Sequence, residues 1–214
     1  MKVMLLAAGA GEAPLPLTAT DTQTAAAGGG RAIIERLLRA LAAAGLHDIV
    51  INLHHLGEQI ERTLRDGAHL GVNITYSRER RALETGGGIV QALPLLGTGP
   101  FAIVNADIVT DFNFSSLPRT LGNDLAHLVL TPTPAWRDAG DFNCANGRVT
   151  GRGGSCVYCG IAVACAELFA APPDPPFSWR EPLWRAVNEG RVGATLHTGQ
   201  WLDIGTPAQY ASVR

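Results

Sequence analysis

The sequence predicts an α/β fold of three layers, α/β/α, with a mixed, mostly parallel sheet in the middle. Three observations predict it. Apolar runs at Lys2–Leu6, Asp48–Leu53, Val72–Tyr76 and Phe101–Val104 have the length of buried strands. The segments between them carry apolar residues at helical spacing. Strand and helix alternate, which places parallel strands side by side and helices on both faces.

Each element follows from its residues. Lys2–Leu6 ends in small residues and Gly9, so a strand feeds a loop. Ala32–Ala44 has Ile33, Ile34, Leu37, Leu38 and Leu41 on one helical face, and Gly45 stops it. Gly57–Asp66 reads as a helix with Ile60 and Leu64 inward, and Gly87–Leu93 as the start of another. In the second half, Ala126–Thr131, Arg148–Val149, Cys156–Val163, Ala194–Leu196 and Trp201–Ile204 read as strands. Trp179–Asn188 and Pro207–Val213 read as helices. Pro172–Pro176 is a loop, because proline lacks the N–H that helix and strand interiors need.

Composition narrows the function classes. The 214 residues suffice for one domain with a proper core. With 46% apolar and 17% charged residues, the chain is globular and not disordered. The net charge is −2 and the basic residues are scattered, so no nucleic-acid footprint is expected. No apolar run approaches the ~20 residues of a membrane helix. Met1–Gly9 reads as a buried first strand, not a signal peptide, and the expected location is the cytoplasm. Four cysteines make no disulfide framework in a chain this long. Cys156-x-x-Cys159 lacks a second ligand pair and reads as buried thiols.

The candidate chemistry lies where strands end. In a doubly wound sheet, ligands bind beyond the carboxyl ends of the strands. Leu5-Leu6-Ala7-Ala8-Gly9-Ala10-Gly11 puts small residues there, so backbone can approach a nucleotide. A dinucleotide fingerprint is blocked by Pro14, and a P-loop lacks its lysine. Gly-x-Gly alone fits a tight turn equally well. Leu83-Glu84-Thr85-Gly86-Gly87-Gly88-Ile89 places three glycines at a helix start, and consecutive glycines cost backbone entropy. The reading is a flat ligand against bare backbone, beside helix N–H groups. Asp107 and Asp203 each follow a strand. They are turn carboxylates, or they share a Mg²⁺ whose shell is completed by phosphates and water. His54-His55 reads as a loop pair.

Taken in order, these motifs resemble the sugar-phosphate nucleotidyltransferases. The resemblance runs through Met1–Gly11, Pro16-Leu17-Thr18, Ile49–Asn52, Leu83–Ile89, Asn105-Ala106-Asp107 and Gly140-Asp141-Phe142. It closes with Gly160-Ile161 and Gly199–Thr206. It implies a Rossmann-like domain whose residues 1–111 bind a nucleotide and whose residues 112–214 bind a sugar phosphate. It implies substrate contacts from Leu6, Ala7, Ala8, Gly9 and Gly11, and from Glu84 and Gly86 at the base and sugar. Asn105 and Gly160 would lie near the acceptor sugar, and residues 135–176 would shape its pocket. Asp107 and Asp203 would bind Mg²⁺ as the catalytic pair. The implied partners are a nucleoside triphosphate, UTP, and a sugar 1-phosphate, N-acetylmuramate 1-phosphate.

The resemblance breaks in one loop. The family's loop arginine falls on Ala13, and its Pro-Lys-Pro falls on Thr22-Gln23-Thr24. Such cations stabilise the charge that develops on leaving pyrophosphate. Two readings stand: a nucleotidyltransferase of reduced turnover, and a binder of nucleotides or nucleotide sugars without turnover.

Overall fold

The structure, a computed structural model, describes residues 1–8, 33–54, 57–135 and 137–204. The helix expected at Pro207–Val213, together with Gly9, Gly11, Ala13, Gln23 and His55, lies outside these residues.

The first half builds the parallel part of one sheet. Strands β1 (Val3–Leu6), β2 (Asp48–Leu53), β3 (Asn73–Arg78) and β4 (Phe101–Asn105) stand in the order β3-β2-β1-β4, all parallel. Their residues alternate between two cores. Val3, Leu5, Ile49 and Ile51 face one side, while Met4, Val50, Phe101 and Ile103 face the other. Burial on both faces explains why these strands read as unbroken apolar runs. Helices α1 (Ile33–Ala43) and α2 (Gly57–Leu64) cover the first side through Ile34, Leu38, Leu41, Ile60 and Leu64. Helices α3 (Glu84–Leu96) and α4 (Arg180–Asn188) cover the second through Ile89, Ala92, Leu183 and Ala186. This is the three-layer arrangement expected from the alternation.

The second half continues the same sheet with mixed directions. After the short β5 (Ile108–Thr110) come β6 (Ala126–Pro132), β7 (Phe142–Ala145), β8 (Arg148–Arg152), β9 (Cys156–Ala164) and β10 (Val192–Leu196). The nine-stranded order is β3-β2-β1-β4-β9-β6-β10-β8-β7, and β9 runs antiparallel to both β4 and β6. β7 also returns to β9 at Phe142 and Cys156. A separate antiparallel pair joins β5 to β11 (Trp201–Asp203). The sequence pattern missed β5 and β7, which are three and four residues long and exist through their partners. No helix among the described residues is long and apolar enough to cross a membrane.

Candidate active site

Strand register builds the first cavity. Leu6 on β1 is opposite Asn52 on β2 and Asn105 on β4, so the carboxyl ends of three strands lie within a residue of one row. Beyond that row is a cavity of about 410 Å³ lined by Leu6, Ala8, Asn52, Ala82, Glu84, Thr85, Asn105, Asp107 and Ser178.

Its floor is held by a buried polar bridge. Asn52 accepts a hydrogen bond at Oδ1 from the Ala7 N–H (2.9 Å) and donates from Nδ2 to Glu79 Oε1 (2.8 Å). The other Glu79 oxygen accepts from the Leu83 N–H at 3.2 Å. One asparagine and one glutamate thus tie the end of β1 to the approach of α3. Buried polar groups of this kind are costly unless each is paired, so the bridge fixes both loops at once.

The helix behind that bridge starts at Glu84, three residues before the expected Gly87. Glu84 has φ +58°, a left-handed backbone rare in a side-chain-bearing residue, and it lines the cavity. Strain of about 1–3 kcal/mol persists only where surrounding structure imposes it. Here Leu83 and Phe177 clamp the turn: the Phe177 N–H donates to the Leu83 carbonyl, and the Phe177 carbonyl accepts from the Gly86 and Gly87 N–H groups.

This corrects the reading of the glycine run. Gly86, Gly87 and Gly88 are all buried, and each faces protein. A Cβ on Gly86 would strike the Phe177 ring. One on Gly88 would lie 2.6 Å from Glu79 Oε1 and 2.9 Å from Asn52 Nδ2. The run is small because the bridge and Phe177 pass across it, and the Gly86 and Gly87 N–H groups are already engaged. Glu84 and Thr85, just ahead of it, are the residues that reach the cavity.

Asp107 and Asp203 meet at the edge of this cavity. Asp203 on β11 pairs with Ile108, and the Ile204 N–H donates to the Asp107 carbonyl at 2.9 Å. Asp107 Oδ1 is buried with no hydrogen-bond partner. Burial first, and the charge of Asp203 second, push the Asp107 carboxyl up to about 6. Asp203 is more open; partial burial raises its carboxyl, Arg137 pulls it back and Asp141 pushes it up. An unpaired buried carboxylate oxygen beside a second carboxylate is a donor set that a hard divalent cation completes.

A second cavity, of about 230 Å³, adjoins the first at Asn105. Its walls are Asn105, Ile108, Arg137, Asp141, Tyr158, Gly160, Arg180, Trp201 and Asp203. It depends on a bulge in β9. Val129 pairs with Ile161, but its neighbour Leu130 pairs with Tyr158, so Cys159 and Gly160 are extra. Gly160 takes φ +73°, and a Cβ there would crowd Asn105 at 3.1 Å. Bulges re-aim side chains near functional sites. The Trp201 indole N–H donates to the Cys159 carbonyl at 2.8 Å, holding β11 against the bulge.

Residues 2–143 match the family described as nucleotidyl transferase. The chain belongs to this family. It is 40% identical to an N-acetylmuramate alpha-1-phosphate uridylyltransferase of Neisseria meningitidis, across 96% of this chain and 94% of that protein. It is 34% identical to the protein of the same name from Caulobacter vibrioides, across 83% of this chain and 81% of that one. The fold is also that of a putative glucose-1-phosphate thymidylyltransferase from Bacillus anthracis, with a TM-score of 0.81 at 17% identity over 99% of this chain and 92% of that one. The nucleotidyltransferase is therefore a sugar-phosphate member of the family, with a Rossmann-like fold.

Within the nucleotidyltransferase, the expected site residues sort by cavity. Leu6, Ala8, Glu84, Asn105 and Asp107 line the first, and Asn105, Gly160 and Asp203 line the second. Ala7 lies behind the wall, buried and tied to Asn52. Gly86 is buried against Phe177. Sequence reading missed Glu79, Arg137, Tyr158 and Arg180. Nothing in their spacing marks them, although Asn52 within an otherwise apolar buried strand was a signal for a polar partner. Cys156 and Cys159 are buried free thiols, and burial pushes the Cys159 thiol up to about 12.

Proposed function

We propose that this nucleotidyltransferase joins UTP to N-acetylmuramate 1-phosphate, giving a UDP-sugar and pyrophosphate with Mg²⁺ bound by Asp107 and Asp203. A phosphate oxygen of the acceptor forms a bond to the α-phosphorus. The bond from that phosphorus to the bridging oxygen breaks, and pyrophosphate leaves with the electron pair. The names of the relatives from Neisseria meningitidis and Caulobacter vibrioides support the substrates. The observation that carries the site is the unpaired buried Oδ1 of Asp107, next to Asp203 and between two adjoining cavities.

The first cavity takes the nucleotide, with Leu6, Ala8 and Glu84 at the base and ribose. The second takes the acceptor sugar between Asn105 and Gly160. Asp107 and Asp203 hold the cation, which when bound supplies charge neutralisation and polarisation of phosphoryl oxygens. For that role both carboxylates are ionised, and the raised Asp107 group ionises at neutral pH in any case.

Turnover is reduced by the loop. Ala13 and Gln23 offer no charge to the leaving pyrophosphate, and one such group is worth about 10²–10³ in rate. The same absence favours a second reading, a protein that binds nucleotide or nucleotide sugar without turnover. Pyrophosphate release with UTP and a panel of sugar 1-phosphates separates them. Release with N-acetylmuramate 1-phosphate supports the enzyme. Tight UDP-sugar binding with no release from any acceptor supports the binder, and preference for glucose 1-phosphate overturns the acceptor assignment.

A further inference from the structure

The second cavity holds charges that the transfer reaction leaves unused. Asp141 Oδ1 lies 3.3 Å from Arg137 Nη2 and 4.0 Å from Arg180 Nη2. Asp141 Oδ2 accepts the Tyr158 N–H at 3.2 Å. Two guanidinium groups therefore share one carboxylate, and that carboxylate is itself held by backbone. With Asp203 in the same cavity, two arginines stand among two carboxylates. The Tyr158 hydroxyl, buried and without a partner, lines the same cavity. Trp179, immediately before Arg180, packs on the Tyr158 ring at 5.8 Å.

The position of this cluster matters. Along β9, Gly160 abuts Asn105, at the junction with the first cavity. Asp141 binds farther along, at the Tyr158 N–H and the Cys156 carbonyl. Two strand residues span about 7 Å at most. An acceptor whose phosphate reacts beside Asp107 and Asp203 thus extends its sugar ring past Gly160. Arg137 and Asp141 also act on the Asp203 carboxyl in the same cavity, so the cluster stands beside the aspartate pair, within reach of a group carried on the acceptor's ring.

We propose that Arg137 and Arg180, bridged by Asp141, form a seat for a carboxylate carried by the acceptor sugar. The claim rests on the acceptor assignment above and adds the group that selects the acceptor. A guanidinium fork matches a carboxylate in two parallel hydrogen bonds. Tyr158 is a neutral donor, because burial pushes its phenol up. Both arginines are on the open side of the cavity, with side chains 39% and 60% exposed, so they can close on a ligand without breaking the core.

Calorimetry on the full chain without nucleotide tests the seat. The probes are N-acetylmuramate 1-phosphate and N-acetylglucosamine 1-phosphate, which differ by a carboxylate-bearing ether. The unmodified protein is expected to prefer the first by about tenfold or more, the worth of a hydrogen bond to a charged group. In Arg137→Met and in Arg180→Met that preference collapses toward one, and Arg180→Lys restores part of it. In turnover, the loss appears in KM for the acceptor and not in kcat. If both sugars weaken together in the methionine variants, the arginines hold the phosphate and the carboxylate seat is overturned. An unchanged preference overturns it as well. If the unmodified protein binds neither sugar 1-phosphate, the acceptor assignment fails first and the seat falls with it. Thermal melts of each variant confirm folding.

Discussion

The two cavities share Asn105 but are built by different means. The first is made by register. Three parallel strands end within a residue of one row, and a buried Asn52–Glu79 bridge locks the loops above them. It presents two carboxylates, Asp107 and Glu84, and otherwise uncharged groups. The second is made by convergence. Its arginines and carboxylates come from the loop after β6, the approach to β7, the start of α4, and β11. Moving one element would leave the first cavity's floor intact but scatter the second's charges. A nucleotide site can be backbone and shape, whereas an acceptor site that chooses among sugars needs placed charges.

The largest expected effect tests the point where the cavities meet. Asp107→Asn and Asp203→Asn should each lower kcat by about 10³, the scale of several kcal/mol lost with a charge-stabilising cation. Unchanged Mg²⁺ dependence in either variant would remove that residue from the pair. Next in size is the loop outside the described residues. Ala13→Arg with Gln23→Lys should raise kcat with UTP by about 10², and each single change should give less than its share. Normal turnover in the unmodified protein would sink this idea, because other groups would already neutralise the pyrophosphate.

A third experiment probes the first cavity's rigidity. Gly88→Ala forces a methyl against Glu79 and Asn52, and should cost about 1–3 kcal/mol in denaturant unfolding. Loss of nucleotide affinity should accompany it, with less effect on acceptor affinity. Equal loss on both sides would mean the cavities are not separately built.

The smallest effect is on stability against pH. Asp107 is raised to about 6 from an ordinary value of 3.8. In that interval the folded chain binds more protons than the unfolded chain, so this group's stabilisation is present below about pH 4 and lost as pH rises through 6. Asp107→Asn removes the buried charge. The variant should melt a few degrees higher than the unmodified protein at pH 7, and the gap should close near pH 4. A gap that widens toward acid would show that Asp107 is paired in the folded protein.

The two halves were unequally legible. Val3–Leu6, Asp48–Leu53 and Phe101–Asn105 were readable because strands buried on both faces have to be apolar throughout. Asp107 was readable because a carboxylate at such a strand end stands out. The glycine run was noticed but misread. Its cause, the Phe177 ring and the Asn52 side chain that Glu79 holds, comes largely from segments distant in sequence. β5 and β7 were invisible for a similar reason, since strands of three or four residues gain their hydrogen bonds only from a partner.

By itself, the sequence determined the layered α/β fold and marked Asp107 and Asp203 as carboxylates at strand ends. Local pattern suffices for these, because burial periodicity and the reach of a strand are properties of neighbouring residues. Only the tertiary structure decided the Asn52–Glu79 bridge, the bulge at Gly160 and the meeting of Arg137 with Arg180 over Asp141. Hydrogen bonds and ion pairs act over a few ångströms, and no short-range pattern along the chain records which distant side chains will be brought that close.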